Sequence, residues 1–225
     1  TPSYSNDASF ASSSHLVGTY IKSKISVVRG QGTLINKVSL VGHSMGGLLS
    51  RHFIQQNQQN QSISRLITIN TPHSGSEIAN FVLSGDMDSL GILLAEFILG
   101  RNSNNVAGYF NVHSGAMSSL QVNSNEILSL NAQPSVNIPV HAISSDFELC
   151  KYIGDDDVSN FVQAMQNFFE FSLGGLDTSL CIFHESLVGE ENDFIVRLSS
   201  QQGGLSGGPL DFFEGPYSSN IHTGI

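Results

Sequence analysis

The chain has 225 residues, 40% of them hydrophobic and 12% charged, which is enough apolar sequence for one domain with a buried core and excludes global disorder. Nine Lys and Arg residues against 19 Asp and Glu give a net charge of −10, which argues against nucleic acid as a partner. No apolar run is long enough to span a bilayer, so no transmembrane segment is predicted, although transient contact with a lipid surface stays compatible with the composition.

The first elements alternate amphipathic stretches with short β-branched runs, a pattern typical of a parallel α/β sheet. Residues 7–23 predict a Ser-rich helix, and residues 37–41 predict a buried strand that leads directly into a glycine. Helical spacing follows over 48–54, and the amide-rich run 55–61 predicts an exposed helix end and loop. Residues 65–70 predict the next strand, since Pro72 cannot continue a central ladder.

The second half repeats the alternation and adds two apolar stretches. Residues 124–131 predict a short helix and residues 138–144 a third strand. Residues 87–99 and 158–169 carry apolar side chains at helical spacing, and each is interpreted either as core or as part of a cap over an apolar pocket. The cap would occupy two segments, near 84–110 and 150–181.

A candidate nucleophile follows the first strand. Residues 42–46, Gly-His-Ser-Met-Gly, match the G-x-S-x-G elbow, in which a sharp strand-to-helix turn exposes the serine hydroxyl and small neighbours prevent clashes. Residues 204–208 match the same pattern, but no predicted strand precedes them and Pro209 follows, which predicts a flexible loop. The strand before Ser44 and the helix after it make Ser44 the candidate nucleophile.

A serine nucleophile needs a base and a carboxylate that orients the base. At this type of elbow the chain order is Ser, then Asp or Glu, then His, which excludes His15 and His43 as the base and makes the last histidine, His222, the first choice. Two acids fit the order. Asp193 opens an apolar run 29 residues before His222, and Asp146 follows the third predicted strand, at the edge where α/β sheets bind ligands.

Four segments and the last histidine carry a resemblance to a known family. These are Gly42-His43-Ser44-Met45-Gly46-Gly47, Asn70-Thr71-Pro72-His73-Ser74-Gly75-Ser76, Asn192-Asp193-Phe194-Ile195-Val196, Ser199-Ser200-Gln201 and His222. In them the chain resembles the lipase-like α/β-hydrolases, the group of bacterial triacylglycerol lipases and related acyl-ester hydrolases. The order and spacing agree across most of the chain.

The resemblance implies a role for each matching residue. Ser44 would be the nucleophile, Asp193 the acid and His222 the base, while the backbone N–H of Met45 would bind the oxyanion. His73, and His43 beside the nucleophile, would line the site. The insertion between Asp146 and Asp193 would cover it.

One feature departs from the family pattern. Such hydrolases carry a His-Gly oxyanion loop on an earlier strand, and the 43 residues before Ser44 contain no His-Gly pair. We therefore expect 1–225 to be a single α/β-hydrolase domain, truncated at both ends, with its N-terminal strands missing and its second oxyanion donor unidentified.

The sequence thus predicts a serine hydrolase that cleaves carboxylic esters of lipids or fatty acyl groups through an acyl-enzyme on Ser44. The apolar cap favours an acyl chain as the bound group. An acyltransferase or thioesterase with the same triad, or a non-catalytic binding module of this fold, are the alternatives.

No cofactor and no metal site are predicted, because the adjacent carboxylates of residues 155–157 lack the alternating spacing of a calcium loop. Cys150 and Cys181 bracket the second cap segment, and the sequence leaves open both their pairing and a secreted or cytoplasmic location.

Overall fold

A computed structural model of the chain describes residues 8–57, 62–84, 114–134, 136–146, 185, 188, 191–193, 195–203 and, as backbone, 210–218. Four parallel strands form one sheet in the order β1-β2-β3-β4. They are β1 (Val38–His43), β2 (Ile63–Ile69), β3 (Val140–Asp146) and β4 (Leu210–Ser218). The predicted α/β class with a parallel sheet and flanking helices is confirmed.

The helices of the described residues connect and flank these strands. They are α1 (Phe10–Ser13), α2 (His15–Gly30), α3 (Met45–Gln56), α4 (Glu77–Leu83), α5 (Gly115–Ser119), α6 (Asn125–Ala132) and α7 (Leu198–Gln201). Helix α6 begins where it was predicted, because the Ser124 hydroxyl accepts a hydrogen bond from the N–H of Ile127 and so caps the helix.

Several predicted boundaries were wrong, and the first strand, predicted as buried over 37–41, runs over Val38–His43 with Val41 62% exposed. The helix expected over 7–23 is two helices that meet at Ser14, whose hydroxyl donates to the carbonyl of Ala11. The third strand runs to Asp146 and not to residue 144, because Ser145 and Asp146 continue to pair with β4. Asp146 is therefore the last residue of a strand.

The core is built around helix α3, which packs on β1 and β2 on one side and on α2 on the other. Leu48 on α3 and Leu66 on β2 are both fully buried there. Gly18 on α2 lies against the ring of Phe53 on α3, where a Cβ atom at Gly18 would come within 2.6 Å of a ring carbon. This close contact allows α2 to pack directly on the helix that follows the candidate nucleophile.

The amide-rich run 55–61 differs from its prediction at its first residue. Gln55 is buried, and its Nε2 donates a hydrogen bond of 3.2 Å to the carbonyl of Pro134. Gln56 and Asn57 are exposed as expected, and 58–61 lie outside the described residues.

Other predictions also concern residues that the structure does not describe: both cap segments beyond residue 84, the acidic run 155–157, the loop 204–208, and Cys150 and Cys181. Among the described helices, none combines the length and the apolar character that crossing a membrane requires.

The parallel register brings several chain segments to one edge of the sheet. His43 at the end of β1 pairs with Ile69, Ile69 pairs with Ile143, and Asp146 pairs with Ser218 at the end of β4. The carboxyl ends of all four strands therefore meet along one line, where open α/β sheets place their ligand sites.

Candidate active site

Ser44 forms a sharp turn between β1 and α3. Its backbone has φ 53° and ψ −130°, a conformation that side chains of L-residues rarely adopt. The turn is held by the Ser44 N–H, which donates to the carbonyl of Ile69 at 2.9 Å, and by the Ser44 carbonyl, which accepts from Gly47 N–H at 3.0 Å. The half-buried serine does not cap α3 with its side chain, so the hydroxyl is left for another role.

Three glycines surround Ser44, and their steric environments differ. A Cβ atom at Gly42 would lie 2.6 Å from the Gly46 carbonyl oxygen and from two backbone atoms of Gly47. One at Gly47 would overlap Thr71, whereas one at Gly46 would meet no atom within 4 Å. The turn therefore requires glycine at positions 42 and 47. Gly46, the second glycine of the G-x-S-x-G pattern, has room for a side chain.

Met45 is the first residue of α3. At this position the backbone N–H has no acceptor within the helix, and the helix dipole places partial positive charge there. An N–H next to the nucleophile, at a helix N-terminus, is the donor that a developing oxyanion needs.

Asp193 is fully buried in a tight turn. Its Oδ1 accepts two hydrogen bonds, from the N–H of Ile195 at 3.0 Å and of Val196 at 2.7 Å. The Asp193 N–H donates in turn to the Val196 carbonyl at 3.2 Å. The turn thus fixes one carboxylate oxygen and the direction of the side chain.

Asp146, the alternative acid, lies beside this turn. The carboxyl group is nearly buried, and its Oδ1 accepts a hydrogen bond of 3.2 Å from the N–H of Asn192, the residue before Asp193. The structure therefore brings both candidate acids to the same edge of the sheet. Among the described residues, no cluster of three or more His, Cys, Asp or Glu side chains forms a metal site.

The acid turn is docked on the loop that follows β2. Ser76 Oγ donates to the carbonyl of Ile195 at 2.6 Å, and Ser200 Oγ donates to the carbonyl of Gly75 at 2.8 Å. The backbone N–H of Ser74 donates back to Ser200 Oγ at 3.0 Å. These bonds join segments about 120 residues apart in the chain, and they connect the acid turn with the loop that packs against the elbow.

His73 is buried between the sheet and α3. Its Nε2 lies 3.2 Å from Thr68 Oγ1, and its Nδ1 lies 3.5 Å from a guanidinium nitrogen of Arg51. Since a guanidinium only donates, Nδ1 is the acceptor and the proton resides on Nε2. Burial first, and the Arg51 charge second, lower the pKa of His73 to about 3, so the ring stays neutral at ordinary pH and holds the loop in place.

Arg51 is a buried arginine beside His73 that was not predicted from the sequence. Only 5% of its surface is exposed, and burial lowers the pKa of its guanidinium to about 10. No pattern in the sequence separates this arginine from a solvated one, because its burial comes from the packing of α3 on the loop after β2.

His43 is exposed at the end of β1, one residue before the nucleophile. His222, the predicted base, lies outside the described residues. The structure therefore places the elbow and both candidate acids at the same edge of the sheet, and the base stays a prediction.

Comparison with known proteins agrees with this geometry. Residues 8–87, which contain the elbow, match the model of the PGAP1-like alpha/beta domain. Over 46 residues, 20% of this chain, the sequence is 50% identical to a triacylglycerol lipase of Pseudarthrobacter phenanthrenivorans and to one of Burkholderia plantarii. The matched stretch spans 14% and 12% of those two lipases.

The structure resembles that of a Bacillus licheniformis lipase in its mature form, with a TM-score of 0.58 and 18% identity. The match covers 97% of this chain and 69% of that lipase. The chain has an α/β-hydrolase fold. In this α/β-hydrolase-fold chain the three predicted strands are present and a fourth, β4, was not predicted. The resemblance to lipase-like α/β-hydrolases is confirmed.

Proposed function

We propose that the chain carries the active site of a serine hydrolase that cleaves carboxylic esters of lipids or fatty acyl groups. The observation that carries this proposal is the backbone of Ser44, at φ 53° and ψ −130°, on a turn at the carboxyl edge of the sheet. Strain of this kind costs roughly 1–3 kcal/mol and is retained at functional sites. The similarity to the three lipases described above supports the hydrolase class.

The catalytic cycle follows from the residues at that edge. His222 takes the proton of Ser44 Oγ as the oxygen attacks the ester carbonyl, and the oxyanion is bound by the Met45 N–H. The tetrahedral intermediate collapses, the C–O bond to the alcohol breaks, and the imidazolium returns its proton to the leaving oxygen. Water then attacks the acyl-enzyme with the same base, releasing the acid and free Ser44.

Asp193 is the proposed acid of the triad. Two backbone N–H groups already hold its Oδ1, so the direction of the carboxylate is set before a base approaches. Asp146 is the alternative, held by one N–H.

The base is supported by chain connectivity. Ser218 ends β4 in register with Asp146, and His222 follows it by four residues. Four residues span at most about 14 Å, a length that allows His222 to reach the edge that carries the elbow and the candidate acids.

An active-site label tests the proposal. A fluorophosphonate probe should add one phosphonyl group at Ser44, detected by mass spectrometry of the peptide, and Ser44→Ala should abolish the addition. Ser206→Ala, in the second match to the sequence pattern, is the matched control and should label like the wild type. A wild-type chain that does not react favours a non-catalytic binding module.

The acceptor distinguishes a hydrolase from an acyltransferase with the same triad. With p-nitrophenyl butyrate as the probe, a hydrolase releases butyric acid even when an alcohol is added. Dominant formation of the butyrate ester of the added alcohol would overturn the hydrolase assignment in favour of acyl transfer.

A further inference from the structure

Gln201, the last residue of α7, is a fully buried amide with every hydrogen-bonding group engaged. Its Nε2 donates to the carbonyl of Ser145 at 3.0 Å and to the carbonyl of Val196 at 2.8 Å. Its Oε1 accepts from the N–H of Ser145 at 2.9 Å. A buried amide with all its donors and its acceptor paired is a rigid connection.

The position of Gln201 follows from the end of β2. Strand β3 pairs with β2 only as far as Ile143, whereas on its other side it pairs with β4 through Ser145 and Asp146. Beyond Ile143, none of the strands in the described part of the chain pairs with the Ser145 N–H and carbonyl on the β2 side. The Gln201 amide binds both groups, as a neighbouring strand would, and satisfies buried backbone polarity that would otherwise be costly.

The second donor of Gln201 reaches the acid turn. Val196, whose carbonyl accepts from Gln201, also donates its N–H to Asp193 Oδ1 at 2.7 Å. A single residue therefore separates the Gln201 amide from the carboxylate. On its other side, the same amide holds Ser145, the residue before Asp146.

We propose that Gln201 is a positioning residue for the acid of the triad, acting through Val196 on Asp193. The proposal rests on the proposed hydrolase function. Gln201 fixes the turn against the end of β3, so that the carboxylate is held in the orientation that a histidine base requires. The role requires an amide, because Gln201 donates two of its three hydrogen bonds to carbonyl oxygens. A carboxylate at this position has no proton to donate to those oxygens.

Two substitutions of similar shape test this role. Gln201→Glu removes the two donor bonds and keeps an acceptor for the Ser145 N–H, and Gln201→Met removes all three bonds. Gln202→Glu and Gln202→Met are the matched controls, because Gln202 is a half-buried neighbour whose side chain bonds to no described residue. Hydrolysis of p-nitrophenyl butyrate is measured from pH 5 to pH 9 in the full chain.

The expected result is a change in kcat and in the pH profile. Both Gln201 variants should lose about 10- to 100-fold in kcat with KM within about twofold, because misplacement of a catalytic group costs this much. The acidic limb of kcat/KM should move to lower pH, since a carboxylate that is less well placed stabilises the imidazolium less. The Gln202 variants should match the wild type.

A double-substitution cycle shows whether Gln201 acts through Asp193. In an Asp193→Asn background, Gln201→Glu should lower kcat by less than about twofold, because the group that it positions is already absent. Equal losses in both backgrounds would overturn the role, as would a folded Gln201→Glu chain with wild-type kcat and pH profile.

Amide hydrogen exchange separates this inference from the proposed function and stays informative if Gln201→Met folds poorly. In Gln201→Glu, exchange at the N–H groups of Ile195 and Val196 should accelerate at least about tenfold relative to Gln202→Glu. Unchanged exchange overturns the connection itself. A wild-type chain that is inert to the fluorophosphonate, with accelerated exchange in the variant, overturns the proposed function and with it the catalytic role of Gln201.

Discussion

Thr71 packs directly against Gly47, so closely that a Cβ atom on Gly47 would overlap the Thr71 hydroxyl and lie 2.7 Å from its methyl carbon. Gly47 belongs to the first turn of α3, and Thr71 to the loop that follows β2. The turn at Ser44 and the loop that carries His73 are therefore fitted to each other through a glycine that lies outside the five-residue elbow pattern.

Gly47→Ala should lower the free energy of unfolding by about 1–3 kcal/mol, because the added methyl group is overpacked against Thr71. Thr71→Ala removes two of the three nearest atoms and should restore part of the loss in the double variant. Urea denaturation of the single and double variants measures both effects. Strictly additive losses would show that the two residues do not conflict.

Gly42→Ala and Gly46→Ala should have opposite effects on stability. A methyl group at Gly42 would meet backbone atoms of Gly46 and Gly47 at 2.6 Å, and we expect a loss of about 1–3 kcal/mol or more. A methyl group at Gly46 enters open space inside a helix and should stabilise by about 0.5–1 kcal/mol. Thermal unfolding compares them, and a destabilised Gly46→Ala would contradict the geometry.

Ser44→Gly should be more stable than Ser44→Ala by about 1–2 kcal/mol, because only glycine adopts φ 53° and ψ −130° without strain. Urea denaturation measures the difference, and both variants lack the Ser44 hydroxyl. The same pair at Ser50, inside α3, is the control and should reverse the order by about 1 kcal/mol, the usual cost of glycine in a helix. Equal stability of the two Ser44 variants would mean that this backbone carries no strain.

His73 should make the chain sensitive to acid. Its pKa is about 3 in the folded chain and about 6.5 when exposed, so between these values the unfolded chain binds a proton that the folded chain does not. Stability should fall with decreasing pH across this window, by up to about 1.4 kcal/mol per pH unit from this group. Urea denaturation from pH 4 to pH 7 should show a shallower dependence in His73→Gln, and a dependence as steep as that of the wild type would contradict the role of His73.

Arg51→Met tests the cause of that low pKa. Burial is the larger cause and the Arg51 charge the smaller, so the variant should raise the pKa of His73 while leaving it below its usual value. An NMR titration of the His73 ring measures the change. A pKa that returns fully to the value of an exposed histidine would contradict the dominance of burial.

The elbow and its acids could be predicted from sequence because their requirements are local. Position 42 requires glycine because the backbone of α3 lies directly against it, and Ser124 caps the helix that follows it. Both sequence signals lie within a few residues of the feature that they determine. Ser44 and Asp193 were identified as candidates for the same reason, as parts of short recurring patterns.

The rest of the site depends on contacts between distant segments. Gln201 and Ser145 are 56 residues apart, and no local sequence pattern predicts either their hydrogen bonds or the burial of Arg51. Strand β4 was also hard to predict, since Gly215-Pro216 inside it argues against a central strand. Its place at the edge of the described sheet accommodates the proline.

The register of the sheet predicts the order in which the strands pair during folding. The first pair of β1 and β2, Val38 with Ile63, joins residues 25 apart, whereas that of β3 and β4, Val140 with Leu210, joins residues 70 apart. Closing the longer loop costs more conformational entropy, so β3 and β4 should pair later than β1 and β2. In a refolding chain the turn at Ser44 should therefore form before the acid turn docks, and recovery of p-nitrophenyl butyrate hydrolysis should lag behind recovery of helical circular dichroism.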